Sequence, residues 1–75
     1  MAKLPLLTFR EFSNILKKLG FEPIRQKGSH VFFMHADGRT TVVPNHPGEE
    51  IDRSLLNKII KQDLKMTRDE FVKHI

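Results

Sequence analysis

The first stretch with apolar residues at helical spacing begins near the N-terminus of the chain. Phenylalanine, isoleucine and leucine recur every three or four positions in FREFSNILKKL, as they do along the buried side of an amphipathic helix. Thr8 with Glu11 three residues later is a capping-box pattern, and Gly20 suits the left-handed residue that ends a helix. The pattern therefore predicts a helix over residues 8–19.

Two more helices are predicted in the second half of the chain by the same features. Asp52 can cap a helix over residues 53–62, in which leucine and isoleucine recur at helical spacing. Thr67 and Glu70 repeat the capping-box pattern and predict a short helix over residues 68–74. The chain is thus expected to end with two helices.

Between the first and second helices the pattern changes to one typical of strands. Three segments are rich in β-branched and aromatic residues: 21–26, 30–36 and 39–44. The tripeptide KGS separates the first pair, Asp37-Gly38 is a hairpin-turn signal between the second pair, and Pro23 fits only an edge strand. The order α-β-β-β-α-(α) predicts an α+β fold, a three-stranded antiparallel sheet with helices on one face.

Composition limits the classes of protein to which the chain can belong. Its 75 residues are expected to form a single domain, 1–75, and 39% hydrophobic with 29% charged residues is typical of a compact globular chain. The absence of cysteine excludes disulfides and a thiolate zinc site. No apolar stretch approaches the roughly 20 residues that span a bilayer, so we expect a cytoplasmic protein without a membrane partner. The formal net charge of +4 favours anionic partners such as nucleic acid.

The segment RQKGSH combines the groups needed to handle a phosphate. His30 is a candidate general base, because an unperturbed imidazole titrates close to neutral pH. Arg25 and Lys27 are candidate phosphate-binding cations, and Gly28 with Ser29 offers backbone N–H groups in a bend that an anion can approach closely. The same residues also fit an ordinary hairpin with a polar turn. The sequence leaves open whether His30 is exposed, because apolar residues occupy both faces of its strand.

Two further histidines and two phenylalanines lie near this segment in the sequence. His35 is expected on the opposite strand face from His30, and His46, in the loop after the third strand, either approaches the site or is simply exposed. The histidine spacing matches no standard metal motif, so we expect no metal and no cofactor. Phe32 and Phe33 point to opposite faces, and we expect neither to serve in base stacking.

The stretch GFEPIRQKGSHVFFMHADGRTTVVPNH, followed by LLNKIIKQ, resembles the HicA family of toxins. The resemblance covers roughly residues 8–72. It implies a fold like that of double-stranded-RNA-binding domains and the activity of an mRNA interferase, a ribonuclease blocked by a HicB-like antitoxin. It also implies that His30 is the catalytic residue and that Gly28 and Ser29 belong to the same element, whereas His35 and His46 match recurrent family histidines of less clear role.

The chain departs from the family pattern at the start of the second predicted helix. Many members carry a Gly-Thr pair there, and this chain has Asp52-Arg53-Ser54. Because Asp52 can cap the helix, we interpret the change as structural.

The resulting hypothesis is a toxin of a type II toxin–antitoxin system that cleaves mRNA without a metal. His30 would act as general base, and His46 is a possible auxiliary residue. Two alternatives stay open: a non-catalytic double-stranded-RNA-binding module, and a protein-interaction domain whose basic surface meets an acidic partner.

Overall fold

A computed structural model of the protein describes residues 4–75. Its elements are α1 (Phe9–Lys18), β1 (Phe21–Lys27), β2 (His30–His35), β3 (Thr40–Pro44), α2 (Arg53–Lys58), a π-helical segment (Ile59–Asp63) and α3 (Arg68–Val72). The predicted α+β fold and its element order are confirmed. Among residues 4–75 no helix has the length and apolar character needed to cross a membrane. The predicted domain of residues 1–75 includes residues 1–3, which lie outside the described part.

The three strands form an antiparallel meander in the order β1-β2-β3, with β2 in the centre. Pro23 lies on β1, an edge strand, as its missing N–H group requires. The register of β1 against β2 shifts between Pro23 and Arg25, so that Ile24 is an extra residue in β1. Such a bulge reverses which side chains face each side of the sheet beyond it. This bulge is absent from the strand pattern read off the sequence.

The helices pack on one face of the sheet, as predicted. Phe12 of α1 and Phe71 of α3 have ring centroids 5.7 Å apart, and Phe9 lies 6.2 Å from Phe33 of β2. Burial of this apolar surface is the main force that holds the small domain together. The core consists of Leu4, Leu7, Phe12, Ile15, Leu16, Phe21, Val31, Phe33, Val43, Ile51, Leu56, Ile59, Ile60, Leu64 and Phe71.

Within residues 4–75 no helix covers the other face of the sheet, which we call the open face. Its three rows of cross-strand neighbours are Glu22–Met34–Thr40, Arg25–Phe32–Val42 and Lys27–His30–Pro44. Met34 and Val42 are exposed there at 44% and 37% of their surface. The open face is therefore partly apolar at its centre and cationic at the end where β2 begins.

Both predicted capping boxes form, and they determine where α1 and α3 begin. The Glu11 N–H donates to Thr8 Oγ1 over 3.3 Å, and the Thr8 N–H donates to the Glu11 carboxylate over 2.9 Å. Thr67 and Glu70 make the same reciprocal pair over 3.1 and 3.0 Å. In each box the backbone N–H of the threonine holds the pKa of the glutamate below its ordinary value.

The second helix departs from the prediction of a regular helix over residues 53–62. After α2 the chain widens into the π-helical segment, in which the Leu64 N–H donates to the Ile59 carbonyl over 2.9 Å. The hydroxyl of buried Thr41 donates to the Asp63 carboxylate over 2.8 Å, which joins this segment to β3. Apolar periodicity predicts a helix here but carries no information on a contact between distant residues such as Thr41 and Asp63.

Candidate active site

His30 is the first residue of β2, and its side chain is exposed on the open face. Its neighbours Val31 and Phe33 are buried against the helices, and successive side chains of a strand point to opposite faces. The register places His30 between Lys27 on β1 and Pro44 on β3. A group bound on the open face can therefore reach the imidazole from solvent.

The bulge in β1 brings the two predicted cations to the same face as His30. Phe21 faces the helices, and without the extra residue Ile24 the odd-numbered Arg25 and Lys27 would do the same. With it, Lys27 stands directly opposite His30, where facing β-carbons lie about 4.5–5.5 Å apart. Arg25 lies in the next row.

The turn that joins β1 and β2 is held by bonds to its carbonyl oxygens. The Gln26 side-chain amide donates to the Gly28 carbonyl over 3.0 Å, and the Asn45 N–H donates to the Ser29 carbonyl over 2.6 Å. A β-carbon added at Gly28 would meet nothing within 4 Å, so the outside of the turn is accessible. The predicted residues Arg25, Lys27 and His30 thus share the open face, and Gly28 and Ser29 lie in the turn between Lys27 and His30.

His46 lies at the same end of the sheet but beside a different element. The bond between Asn45 and Ser29 brings the loop after β3 next to the β1–β2 turn. His46 itself is exposed and lines a surface cavity of about 390 Å³ together with Phe9 and Arg10 of α1. It therefore borders α1, on the helix side of the sheet, whereas His30 faces the open side.

His35 has a structural position on the helix side of β2, opposite in face to His30 as predicted. Its Nε2 lies 3.1 Å from the Leu19 carbonyl, and its Nδ1 accepts the Asp37 N–H over 3.0 Å. Its ring meets the edge of Phe21 at 5.0 Å between centroids. Through these contacts the side chain joins the end of α1 to the β2–β3 turn.

The tight contact between His35 and Gly20 yields a stability prediction. Gly20 and Gly38 both have φ of 98°, but a β-carbon at Gly20 would lie 2.8 Å from His35 Nε2, whereas one at Gly38 would meet nothing within 4 Å. We expect Gly38→Ala to lower the free energy of unfolding by about 1–2 kcal/mol, through backbone strain alone. Gly20→Ala should lower the free energy of unfolding, measured by urea denaturation, clearly more than Gly38→Ala does, because it also displaces the imidazole of His35. Equal losses of stability in the two variants would show that the close contact between Gly20 and His35 does not restrict the side chain at position 20.

Sequence reasoning missed the part that Arg39 plays in holding the sheet to the helices. Its guanidinium lies 5.2 Å from the Phe21 ring centroid, and it donates to the Leu64 carbonyl and, over 2.7 Å, to Asp37. The Arg39 N–H and guanidinium, with His35, hold the pKa of the Asp37 carboxyl below its ordinary value. The turn signal Asp37-Gly38 predicted the bend but not these interactions of Arg39.

Phe32 and Phe33 of β2 lie on opposite faces of the sheet, as predicted. Phe33 is fully buried, whereas Phe32 is half-buried and lies on the open face. The Arg25 guanidinium carbon is 4.6 Å from its ring centroid. Strict alternation from His30 along β2 already indicated which of the two phenylalanines would share its face.

Comparison with known proteins identifies the class to which this fold and surface belong. Residues 9–63 match the family described as HicA toxin of bacterial toxin–antitoxin systems. Over 56 residues the chain is 38% identical to a protein of Pseudomonas fluorescens (strain Pf0-1) named "Probable mRNA interferase HicA", a match that covers 75% of this chain and 92% of that protein. No solved structure matches the chain. The chain belongs to the HicA toxin family, as the sequence resemblance predicted.

The departure from the family pattern at the start of α2 leaves the helix intact. Asp52 is the N-cap, and its carboxylate accepts the Leu55 N–H over 3.2 Å. The interpretation of this change as structural is consistent with the bond, because α2 begins at Arg53 with a side-chain cap in place.

Proposed function

We propose that the protein is the toxin of a type II toxin–antitoxin system and cleaves mRNA without a metal ion, with His30 as general base. The observation that carries the proposal is the exposed imidazole of His30 directly opposite Lys27 on the open face. Membership of the HicA toxin family and the name of the Pseudomonas relative support ribonuclease activity. In this proposal the whole chain is one cytoplasmic domain.

The reaction is a transphosphorylation within the RNA backbone. His30 takes the proton of a ribose 2′-OH, and the 2′ oxygen then forms a bond to the adjacent phosphorus while the bond from phosphorus to the 5′ oxygen breaks. The products are a 2′,3′-cyclic phosphate and, after protonation of the leaving oxygen, a 5′-OH. DNA lacks the attacking hydroxyl and is not a substrate.

Cations near the imidazole supply the electrostatic part of the mechanism. Lys27 faces His30, and Arg25 lies one row away, so both can offset the charge that develops on the phosphoryl oxygens. Backbone N–H groups of Gly28 and Ser29 are the proposed donors from the turn. Three candidates for protonating the leaving oxygen remain in the proposal: Lys27, water and His46, whose side chain borders α1.

The proposed regulator is a HicB-like antitoxin that covers this surface. Since His30 projects from the sheet with no helix over it, a partner seated on the open face blocks access of RNA to the imidazole. Such a partner need not alter the fold of the toxin in order to inhibit it.

Substrate choice tests the proposal. Purified protein in excess EDTA should cleave a single-stranded RNA, and DNA of the same sequence should remain intact under identical conditions. Cleavage should also stop when the nucleotide 5′ of the cut carries a 2′-deoxyribose. Loss of RNA cleavage on chelation, or cutting of the DNA, would contradict a metal-independent reaction that uses the 2′-OH.

The second candidate is a double-stranded-RNA-binding module without activity, which the αβββα order favours. Lys58 and Lys61 are exposed at the end of α2 and in the π-helical segment, where they can meet phosphates. This candidate requires duplex binding without cut product and without a contribution from His30. The RNA assay in EDTA separates the two.

A further inference from the structure

The open face carries a cation–π pair of side chains next to the proposed catalytic group. Phe32 is half-buried, and the Arg25 guanidinium carbon lies 4.6 Å from its ring centroid. The register places these two residues directly opposite each other on β2 and β1. A contact of this kind is worth about 0.5–1 kcal/mol at an exposed site.

The distance from this pair to His30 matches the dimensions of a nucleotide. Phe32 follows His30 by two residues on the same strand face, which separates them by about 6.6–6.8 Å. A phosphate held at His30 and Lys27 therefore places the base of an adjoining nucleotide over Arg25 and Phe32. Aromatic rings and arginine guanidinium planes are the two surfaces on which proteins stack unpaired bases.

We propose that Phe32 and Arg25 form a nucleobase-stacking subsite of the RNA-cleaving centre. This inference rests on the proposed function and adds to it a binding site for a base next to the cut. The site accepts single-stranded RNA, since a base paired in a duplex does not expose its face. Because every base has such a face, Phe32 supports binding with little sequence preference.

Charge on the open face favours RNA as the occupant over an apolar segment of a protein. The rows Arg25–Phe32–Val42 and Lys27–His30–Pro44 contain two cations and no carboxylate. The acidic residue of the open face, Glu22, lies in the row farthest from His30. The aromatic ring thus lies within the cationic end of the sheet, where an anionic backbone is attracted.

The test is binding of RNA that cannot react. Fluorescently labelled 2′-O-methyl RNA of mixed sequence is compared by anisotropy with an abasic oligonucleotide of equal length, which has the phosphates but no bases. Stacking of one base contributes about 5- to 150-fold in affinity. Wild-type protein should prefer the oligonucleotide with bases by a factor in this range.

Two variants should abolish that preference for different reasons. Phe32→Leu removes the ring face and keeps apolar volume, and Arg25→Lys keeps the charge and removes the guanidinium plane. Phe32→Leu should bind the abasic oligonucleotide as wild type does. Met34→Leu, the same replacement at the next open-face position of β2, is the matched control and should keep the preference.

Several outcomes would overturn the inference. Phe32→Leu with an unchanged preference would remove its basis, and so would an equal loss of affinity for both oligonucleotides. A Phe32→Leu protein that binds RNA normally but escapes inhibition by a co-expressed antitoxin would assign the pair to a protein interface. Because the probe cannot be cut, base-dependent binding without any ribonuclease activity would contradict the proposed function and leave the subsite standing.

Discussion

Replacement of His30 by alanine should lower the rate of RNA cleavage by about 10²–10⁴-fold, the range over which a positioned general base contributes. The side chain is exposed at the start of β2 and belongs to no part of the core, so the variant should fold as wild type does. The loss should appear in the rate at saturating RNA, because binding depends mainly on the neighbouring cations. Single-turnover cleavage of a labelled RNA in EDTA measures it.

His74→Ala is the matched control for this experiment. His74 is another exposed histidine, located after α3, and its loss should leave the cleavage rate unchanged. An active His30→Ala protein would remove His30 from the mechanism. A His30→Ala protein that is inactive because it has unfolded would be recognised by a changed circular dichroism spectrum, and His30→Gln then provides a second variant of the same position.

The second large effect is expected on stability, from Phe71→Ala. Phe71 in α3 is fully buried and its ring lies 5.7 Å from that of Phe12 in α1. Truncation of a buried phenylalanine costs about 3–5 kcal/mol. A domain of 75 residues has only about 4–11 kcal/mol in total, so the variant should lose a large fraction of its stability. Urea denaturation followed by circular dichroism measures the loss.

This prediction concerns the part of the chain that follows the family match at residues 9–63. Ile75→Ala is its control, because Ile75 is 55% exposed, and we expect a change within about 0.5 kcal/mol. If Phe71→Ala is no less stable than Ile75→Ala, then α3 does not contribute to the core.

Features encoded by short stretches of sequence were predictable. The capping boxes at Thr8 and Thr67 fixed the starts of α1 and α3, because both partners of each box lie within one helical turn. The turn at Asp37-Gly38 and the edge position of Pro23 followed from backbone chemistry in the same way. These signals sufficed for the element order and for the antiparallel meander.

Features that depend on contacts between distant residues were not predictable. The bulge at Ile24 is visible only as a shift in the pairing of β1 with β2. The π-helical segment is joined to β3 through Asp63 and Thr41, which are far apart in the sequence. Apolar periodicity describes one element at a time and contains no information on either contact.

The candidate site lies between these two cases. The residue types around His30 were recognisable from the segment RQKGSH, but the sequence did not establish that the imidazole is exposed or that Lys27 faces it. The exposure of His30 follows from the alternation of exposed and buried side chains along β2. The position of Lys27 opposite His30 depends on the bulge, which puts Lys27 on the open face. The sequence also left open which of Phe32 and Phe33 would be partly exposed, because apolar residues occupy both faces of β2.

The chemical ends of the RNA products test the central claim most directly. Mass spectrometry of an RNA cut by wild-type protein in excess EDTA should find a 2′,3′-cyclic phosphate on one fragment and a 5′-OH on the other. These ends arise when the ribose hydroxyl itself attacks the phosphorus, which is the step assigned to His30. Fragments ending in a 3′-OH and a 5′-phosphate would show that water attacks instead, and would contradict the account.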